Sequence, residues 1–287
     1  MIDELKELWR FRELLIAMVQ RELRVRYKNS FFGFLWSLAN PIATTIVMWL
    51  VFSKFMDNGV KSYSAYLLAA YLPYLFLQQS ILDSAQSVLM ALPVVRKTYF
   101  PRELLPLTSV IANFIHLLLG FVVFFVFLLI VYIKDPQEFP LQGGVIYLPF
   151  LLLVTLVLAT GLSLYVSALN TFYEDVKYLV TVGMYLMFFI CPVMYFVEQV
   201  ANSSVNHQGK GFWVFKLYNL NPIATLCIAY RKTLLSPVTV PGRHGEQFAP
   251  WPMNWDYVWV TTIFSVFLLI TGYAVFNRMK WRFVERP

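Results

Sequence analysis

The chain has 287 residues, of which 59% are hydrophobic and only 14% are charged. A water-soluble domain of this size could not cover so many apolar side chains with so few charges, so the composition indicates an integral membrane protein. The net charge of +7 comes from basic residues that flank apolar runs, a distribution that favours anionic lipid headgroups as partners rather than nucleic acid.

The first segment, residues 1–32, predicts an amphipathic helix on the cytoplasmic surface of the membrane. Its leucine and methionine residues recur at helical spacing, and charged residues fill the other faces. Anchoring and topology alone would explain such a helix. Cations clustered at headgroup level would also attract the phosphates of an anionic, lipid-linked substrate. The candidate headgroup-binding residues are Arg24, Arg26, Tyr27 and Lys28.

Six apolar runs follow, each long enough for a transmembrane helix of roughly 20 residues. The predicted spans cover residues 34–55, 63–82 with a helical extension to 92, 110–133, 147–169, 178–197 and 257–276. The stretch between spans five and six is too apolar and aromatic for a solvated loop, and prolines at 222 and 237 break it. We therefore expect short re-entrant gate helices there, followed by an irregular external loop over 236–252. The predicted fold class is an all-α integral membrane protein.

Lysine and arginine residues predict the orientation of these spans. Fifteen of them lie in segments predicted for one side of the membrane, and three lie in the short loops of the other side. Because basic loops stay inside, both termini are expected in the cytoplasm. The chain then divides into an interface helix at 1–32, five spans at 33–197, an extracytoplasmic gate region at 198–256, and the sixth span with a cytoplasmic tail at 257–287.

The cytoplasmic loop at 93–107 has the composition of a protein interface. Three prolines limit its freedom, its aromatic residues can fill an apolar groove, and its cations can pair with carboxylates of a partner. A merely solvated turn is the alternative. The candidate interface residues are Arg96, Lys97, Tyr99, Phe100, Arg102 and Glu103.

Residue types that carry chemistry are sparse. The three histidines are scattered, no phosphate-binding glycine loop is present, and Cys191 and Cys227 are predicted to be free thiols. We therefore expect no catalytic residue, metal or cofactor in this chain. A membrane-bound polyprenyl-phosphate-dependent glycosyl- or acyltransferase would need acidic or histidine residues grouped at a membrane face. A secondary flippase would be expected to keep charges inside its spans.

Four stretches resemble one known family. They are residues 21–30 with Gly33 to Trp36 and Asn40-Pro41, residues 95–107, residues 170–176 (NTFYEDV) and residues 219–231 (NLNPIATLCIAYR). In this order they are similar to the membrane-spanning permease subunits of polysaccharide-exporting ABC transporters, the type-2 exporters of O-antigen or teichoic acid. The external segment 236–252 departs from the shorter members.

The resemblance implies a homodimer with two separately encoded ATP-binding subunits, which would bind the ATP and Mg²⁺. It implies export of undecaprenyl-diphosphate-linked polysaccharide across the cytoplasmic (inner) membrane between the two permease copies, with the 93–107 loop docked on the ATP-binding subunit. Aromatic rings could stack on sugar faces, and the candidates in the channel are Trp36, Tyr185 and Tyr195. The candidate outer-gate residues are Asn221, Pro222 and Arg231.

Overall fold

The described part of the chain is mostly α-helical. The computed structural model describes residues 2–26, 36–51, 60, 62–95, 97–134, 136, 140–202, 213–242 and 246–284. Its α-helices are α1 Ile2–Arg10, α2 Arg12–Arg26, α3 Trp36–Leu50, α4 Tyr63–Val95, α5 Leu104–Lys134, α6 Leu148–Phe172, α7 Val176–Ile190, α8 Val197–Ala201, α9 Trp213–Leu220, α10 Pro222–Leu234 and α11 Trp255–Lys280. Short 3₁₀ turns at Gly143–Tyr147 and Trp281–Val284 precede α6 and follow α11.

Within the described part of the chain, four segments are long and apolar enough to cross a membrane: Tyr63–Pro93, Leu104–Lys134, Gly143–Phe172 and Trp255–Phe283. They correspond to predicted spans two, three, four and six. Predicted spans one and five correspond to α3 and α7, and each of these helices has 15 residues. Residues 27–35 and 52–59, which flank α3, lie outside the described part of the chain. Six spans therefore stay a prediction, while a multi-pass membrane protein is established.

The predicted fifth span, 178–197, was wrong at its carboxyl end. The helix stops at Ile190, and Cys191 adopts an extended backbone with φ −77° and ψ 150°. Cys191 precedes Pro192, and a residue before proline is pushed out of the helical region. The chain then turns through 191–196 before α8 begins.

The N-terminal segment also differs from its prediction, because it forms two helices rather than one. Phe11 separates α1 from α2, and the Arg12 guanidinium lies 5.5 Å from the centre of the Trp9 ring. Trp9 is 71% exposed, whereas Val19 of α2 is buried. Helix α1 thus exposes a large aromatic side chain, whereas α2 buries an apolar one and packs against α5.

Helix α4 lies at the centre of the bundle. Its first half is lined by small residues such as Ala65, Ala69 and Ala70, which are fully buried and allow close approach of neighbouring helices. It packs against α5, α6 and α10, and the Tyr74 hydroxyl donates a hydrogen bond to the Met184 carbonyl of α7. Because α4 touches so many elements, it links both ends of the bundle.

Helices α6 and α11 cross at two glycines. A Cβ atom on Gly272 would lie 2.7 Å from the carbonyl oxygen of Gly161, and one on Gly161 would lie 2.8 Å from the backbone of Leu268. Small residues let helix backbones approach closely in membranes, where van der Waals packing drives association. This pair of glycines therefore fixes the extensive α6–α11 contact.

The external loop predicted as irregular contains a short antiparallel hairpin. Strand β1 is Val240–Pro241, strand β2 is Gln247–Phe248, and Val240 pairs with Phe248. The Gly242 amide donates to the Glu246 carbonyl at 2.6 Å, which brings the two strands together, and residues 243–245 lie outside the described part. The prediction missed the hairpin because each strand has two residues, too few for a detectable alternation.

Candidate functional site

One end of the bundle gathers segments that are far apart in the sequence. The Tyr99 hydroxyl donates to Glu7 Oε1 of α1 at 3.1 Å, and the Arg102 guanidinium donates to the Lys280 carbonyl at the end of α11. The turn between α6 and α7 lies at the same end, because Lys177 shares a cavity with Tyr99. The segments predicted to be cytoplasmic are thus brought together in space.

The predicted interface loop is shorter than 93–107, since α4 continues to Val95 and α5 begins at Leu104. We call residues 97–103 the contact loop; Arg96 lies outside the described residues. Lys97 and Thr98 are exposed, and Tyr99 is 77% exposed. The hydrogen bond to the Glu7 carboxylate raises the pKa of the Tyr99 phenol. These three side chains therefore lie on the surface of the chain.

The remaining residues of the contact loop face the protein interior. Phe100 packs against a buried apolar cluster, and Arg102 is partly buried, which lowers the pKa of its guanidinium. Glu103 is 1% exposed, and its Oε1 lies 2.6 Å from Lys280 Nζ. Of the six predicted interface residues, the structure therefore places Phe100, Arg102 and Glu103 against this chain's own helices.

A large cavity of about 1100 Å³ opens between α2, α4, α5, α7 and the contact loop. Its charged residues are Arg21, Glu22, Asp83 and Lys177. Aromatic rings of Phe11, Tyr99, Phe100 and Tyr178 and apolar side chains of Leu14, Val25 and Met90 complete much of its lining. The lining therefore combines two cations and two carboxylates with aromatic and apolar surface.

Among the described residues, no predicted headgroup residue belongs to the cavity lining. Arg24 is exposed on α2, while the side chain of Arg26 and all of Tyr27 and Lys28 lie outside the described part. Arg21 and Lys177, which line the cavity, were not among the predicted site residues. Both are in or next to stretches that carry the family resemblance, which is a signal that could have selected them.

Two asparagines form hydrogen bonds to helices that line the cavity. Asn113 of α5 donates from Nδ2 to Asp83 Oδ2 of α4 at 2.8 Å. Asn170 Nδ2 donates to the Ala85 carbonyl of α4 at 2.8 Å, and its Oδ1 accepts from the Lys177 amide at 2.9 Å. Asn170 thus ties the ends of α6 and α7 to α4 and gives the first residue of the NTFYEDV stretch a structural role.

The opposite end of the bundle is organised by Arg231 of α10, which is 5% exposed. Its guanidinium donates from Nε to the Tyr66 carbonyl at 3.0 Å and from its two terminal nitrogens to the carbonyls of Tyr195 (2.6 Å) and Val193 (2.8 Å). It also lies 4.7 Å from the centre of the Phe196 ring. Arg231 therefore joins α10, α4 and the 191–196 turn.

Asn221 and Pro222 separate α9 from α10, as the sequence predicts. The Asn221 side chain accepts from the Ile223 amide at 3.0 Å and caps α10, and Pro222 occupies its first turn. Helix α10 ends at Leu234, before the second predicted break at Ser236-Pro237. The breaks are confirmed; the depth of these helices in the membrane stays a prediction.

The three predicted channel aromatics have different environments. Tyr185 is 61% exposed on α7 and contacts Phe189 edge-to-face with ring centres 5.2 Å apart. Tyr195 donates from its hydroxyl to the Ile190 carbonyl and accepts from the Tyr218 hydroxyl at 3.1 Å, so it is held in the 191–196 turn. The side chain of Trp36 lies outside the described part. Tyr185 therefore lies on an exposed helix face, whereas Tyr195 is held in place by hydrogen bonds.

Metal ligands and thiols are two further kinds of candidate site residue. Across them, no three His, Cys, Asp or Glu side chains converge in a way that could hold a metal ion. Cys191 and Cys227 are both buried and free, as predicted.

A comparison with protein families decides the class of this molecule. The family model described as ABC-2 type transporter matches residues 13–235. The chain belongs to the ABC-2 type transporter family. The matched region of this ABC-2 type transporter includes α2 from its second residue, the contact loop, most of the cavity lining and α10, and it ends before the hairpin and α11. Membership makes the chain the membrane part of an ABC transporter and implies an ATP-binding partner.

Individual relatives support the same family. An O-antigen export system permease protein RfbA of Klebsiella pneumoniae is 28% identical to this ABC-2 type transporter over 273 residues, covering 95% of this chain and 94% of the relative. A second protein of that name and organism is 27% identical over the same shares. The protein of that name from Myxococcus xanthus is 28% identical over 231 residues, covering 80% of this chain and 84% of the relative.

Proposed function

We propose that the chain is the transmembrane subunit of an ATP-driven exporter of undecaprenyl-diphosphate-linked polysaccharide of the O-antigen type. It would work as a homodimer with two separately encoded ATP-binding subunits, in the inner membrane, with both termini in the cytoplasm. The observation that carries the proposal is the cavity of about 1100 Å³ at the basic end of the bundle, beside the exposed contact loop. The names of the relatives support the choice of glycan class.

The lining of the cavity suits the two parts of such a substrate. Arg21 and Lys177 can pair with the diphosphate, since charged hydrogen bonds to phosphate are the strong ones. Leu14, Val25 and Met90 offer apolar surface to a polyprenyl chain. The volume reaches the upper limit of ordinary small-molecule pockets, which hold roughly 300–1,000 Å³.

The orientation follows from charge. The contact loop, the start of α7 and the end of α11 carry the basic residues, and the structure brings them to one end. Under the positive-inside rule this end faces the cytoplasm, where an ATP-binding subunit is available. The side chains of Lys97 and Tyr99 would then contact that subunit.

The exposed face of α7 supports a passage between two copies. Tyr178, Tyr185 and Phe189 are each more than half exposed, and a Cβ on Gly183 would meet nothing within 4 Å. Aromatic rings can stack on the apolar C–H faces of sugars and still let a polymer slide. A second copy placed opposite this face would enclose such a path.

Transport in vesicles tests the proposal directly. The full chain is reconstituted with its separately encoded ATP-binding subunit, and ATP-dependent movement of lipid-linked polysaccharide into the lumen is measured. The double variant Arg21→Gln with Lys177→Gln lacks both cavity cations. It should raise the substrate concentration needed for half-maximal transport at least about tenfold, because two charge-assisted contacts are lost. Lys134→Gln, an exposed cation at the other end of α5, is the matched control and should behave as wild type.

Two outcomes would contradict the proposal. The first is a reconstituted complex in which ATP produces no movement of the polymer. The second is a chain that elongates or acylates a polyprenyl-linked glycan without ATP, which would identify a membrane-bound transferase. In cells, deletion of the gene should remove the surface polysaccharide and leave the lipid-linked polymer inside.

A further inference from the structure

The contact loop has an outer and an inner face. Lys97, Thr98 and Tyr99 point outward and are exposed. Phe100, Arg102 and Glu103 point inward, toward the carboxyl-terminal end of the chain. If a partner displaces the outer face of the loop, that movement reaches the rest of the chain through the contacts of the inner face.

The inner face is attached to the end of α11 by two contacts. Glu103 Oε1 pairs with Lys280 Nζ at 2.6 Å, and the Arg102 guanidinium donates to the backbone carbonyl of Lys280. The side chain of Glu103 is 2% exposed and that of Lys280 is 12% exposed. Among the described residues, the second carboxylate oxygen of Glu103 has no hydrogen-bond partner, so Lys280, with the nearby Arg102, compensates this buried charge.

The chain beyond Lys280 folds back into the bundle. Phe283, in the 3₁₀ turn Trp281–Val284, is fully buried, and its ring centre lies 5.4 Å from that of Phe276 and 5.7 Å from that of Phe172. The same apolar cluster includes Val95 at the end of α4 and Leu105 at the start of α5. The carboxyl-terminal turn is thus packed in a cluster with side chains of α4, α5 and α6 and of α11, which it follows.

We infer that Lys280 and Phe283 are positioning residues that transmit movement of the contact loop to α11 and α6. The inference rests on the proposed function, in which the contact loop docks on the ATP-binding subunit. A buried ion pair resists separation, because separation leaves an uncompensated charge in the interior. Displacement of Glu103 therefore moves Lys280, and with it the end of α11. Phe283 passes the displacement to α6 through Phe172.

Variants of the full chain, reconstituted with the ATP-binding subunit, test this link. Glu103→Gln and Lys280→Met are made singly and together, because the double variant removes both charges and leaves neither one stranded. Arg278→Gln, an exposed cation in the last turn of the same helix, is the matched control. Three quantities are measured: inserted chain, bound ATP-binding subunit, and polymer moved per ATP hydrolysed.

The double variant should insert and bind the ATP-binding subunit like wild type, while polymer moved per ATP falls about fivefold or more, the scale of a typical coupling between sites. Arg278→Gln should leave all three quantities unchanged. The inference is overturned if the double variant keeps the wild-type ratio, or if loss of transport only follows loss of the bound subunit. If the charge variants fail to insert, Phe283→Leu, which keeps an apolar side chain in the cluster, is the variant that tests the inference. An unchanged amount of polymer moved per ATP in Phe283→Leu overturns the inference as well. A wild-type complex that moves no polymer would instead refute the proposed function itself.

Discussion

Replacement of Arg231 by methionine tests the assembly of the candidate outer gate. Methionine is unbranched and apolar, and it would leave the carbonyls of Tyr66, Val193 and Tyr195 without their donor. Each hydrogen bond to a charged group contributes about 1.5–3 kcal/mol, so the three together argue for a loss of about 5 kcal/mol. Methionine also removes the cost of burying a cation, which is several kcal/mol, and this gain offsets part of the lost hydrogen-bond stabilisation. We expect a net decrease of about 3 kcal/mol in the free energy of unfolding, taking both effects together.

Arg231→Lys provides a sharper comparison than methionine alone. Lysine keeps the buried charge, but its single ammonium cannot reproduce the planar fork that reaches three carbonyls. We therefore expect the chemically conservative variant to be at least as unstable as the methionine variant. This order would not arise if charge alone mattered at position 231.

The assay is thermal unfolding of the purified chain in detergent, followed by intrinsic tryptophan fluorescence. A loss of about 3 kcal/mol corresponds to a decrease of roughly 6–12 °C in Tm for a chain of this size. Lys216→Met, which removes an exposed cation from the neighbouring α9, should leave the Tm unchanged. If Arg231→Met unfolds at the wild-type temperature, the three hydrogen bonds do not hold this end together.

Two further predictions concern the packing of the helices. Gly272→Ala should lower the free energy of unfolding by about 1–3 kcal/mol, because its Cβ would lie 2.7 Å from the Gly161 carbonyl oxygen, whereas Gly183→Ala should be neutral or stabilising in the same unfolding assay. Asn170→Ala should lower it by about 1–3 kcal/mol, since the buried Ala85 carbonyl and Lys177 amide lose their partner, and it should increase hydrogen exchange at the start of α7. Wild-type exchange in the Asn170 variant would contradict that role.

The candidate site could be predicted from sequence only where the signal is local. The contact loop was found from its prolines and aromatic residues, and the break at Asn221-Pro222 was found because proline and asparagine mark the start of a helix. The division of the contact loop into two faces could not be found, since Lys280 lies 177 residues away from Glu103 along the chain. Arg21 and Lys177 were missed as a pair for the same reason.

The sequence alone determined that this protein crosses a membrane, where its long apolar helices lie, and which of its segments are basic. Hydropathy, proline and charge act over one or two helical turns, so a single chain displays them directly. The tertiary structure decided which side chains meet. The crossing of α6 and α11 at Gly161 and Gly272, the three carbonyls around Arg231 and the Glu103–Lys280 ion pair all depend on how distant helices pack. In a membrane such packing depends on van der Waals contact and hydrogen bonds between helix surfaces, and a local sequence pattern does not predict which surfaces meet.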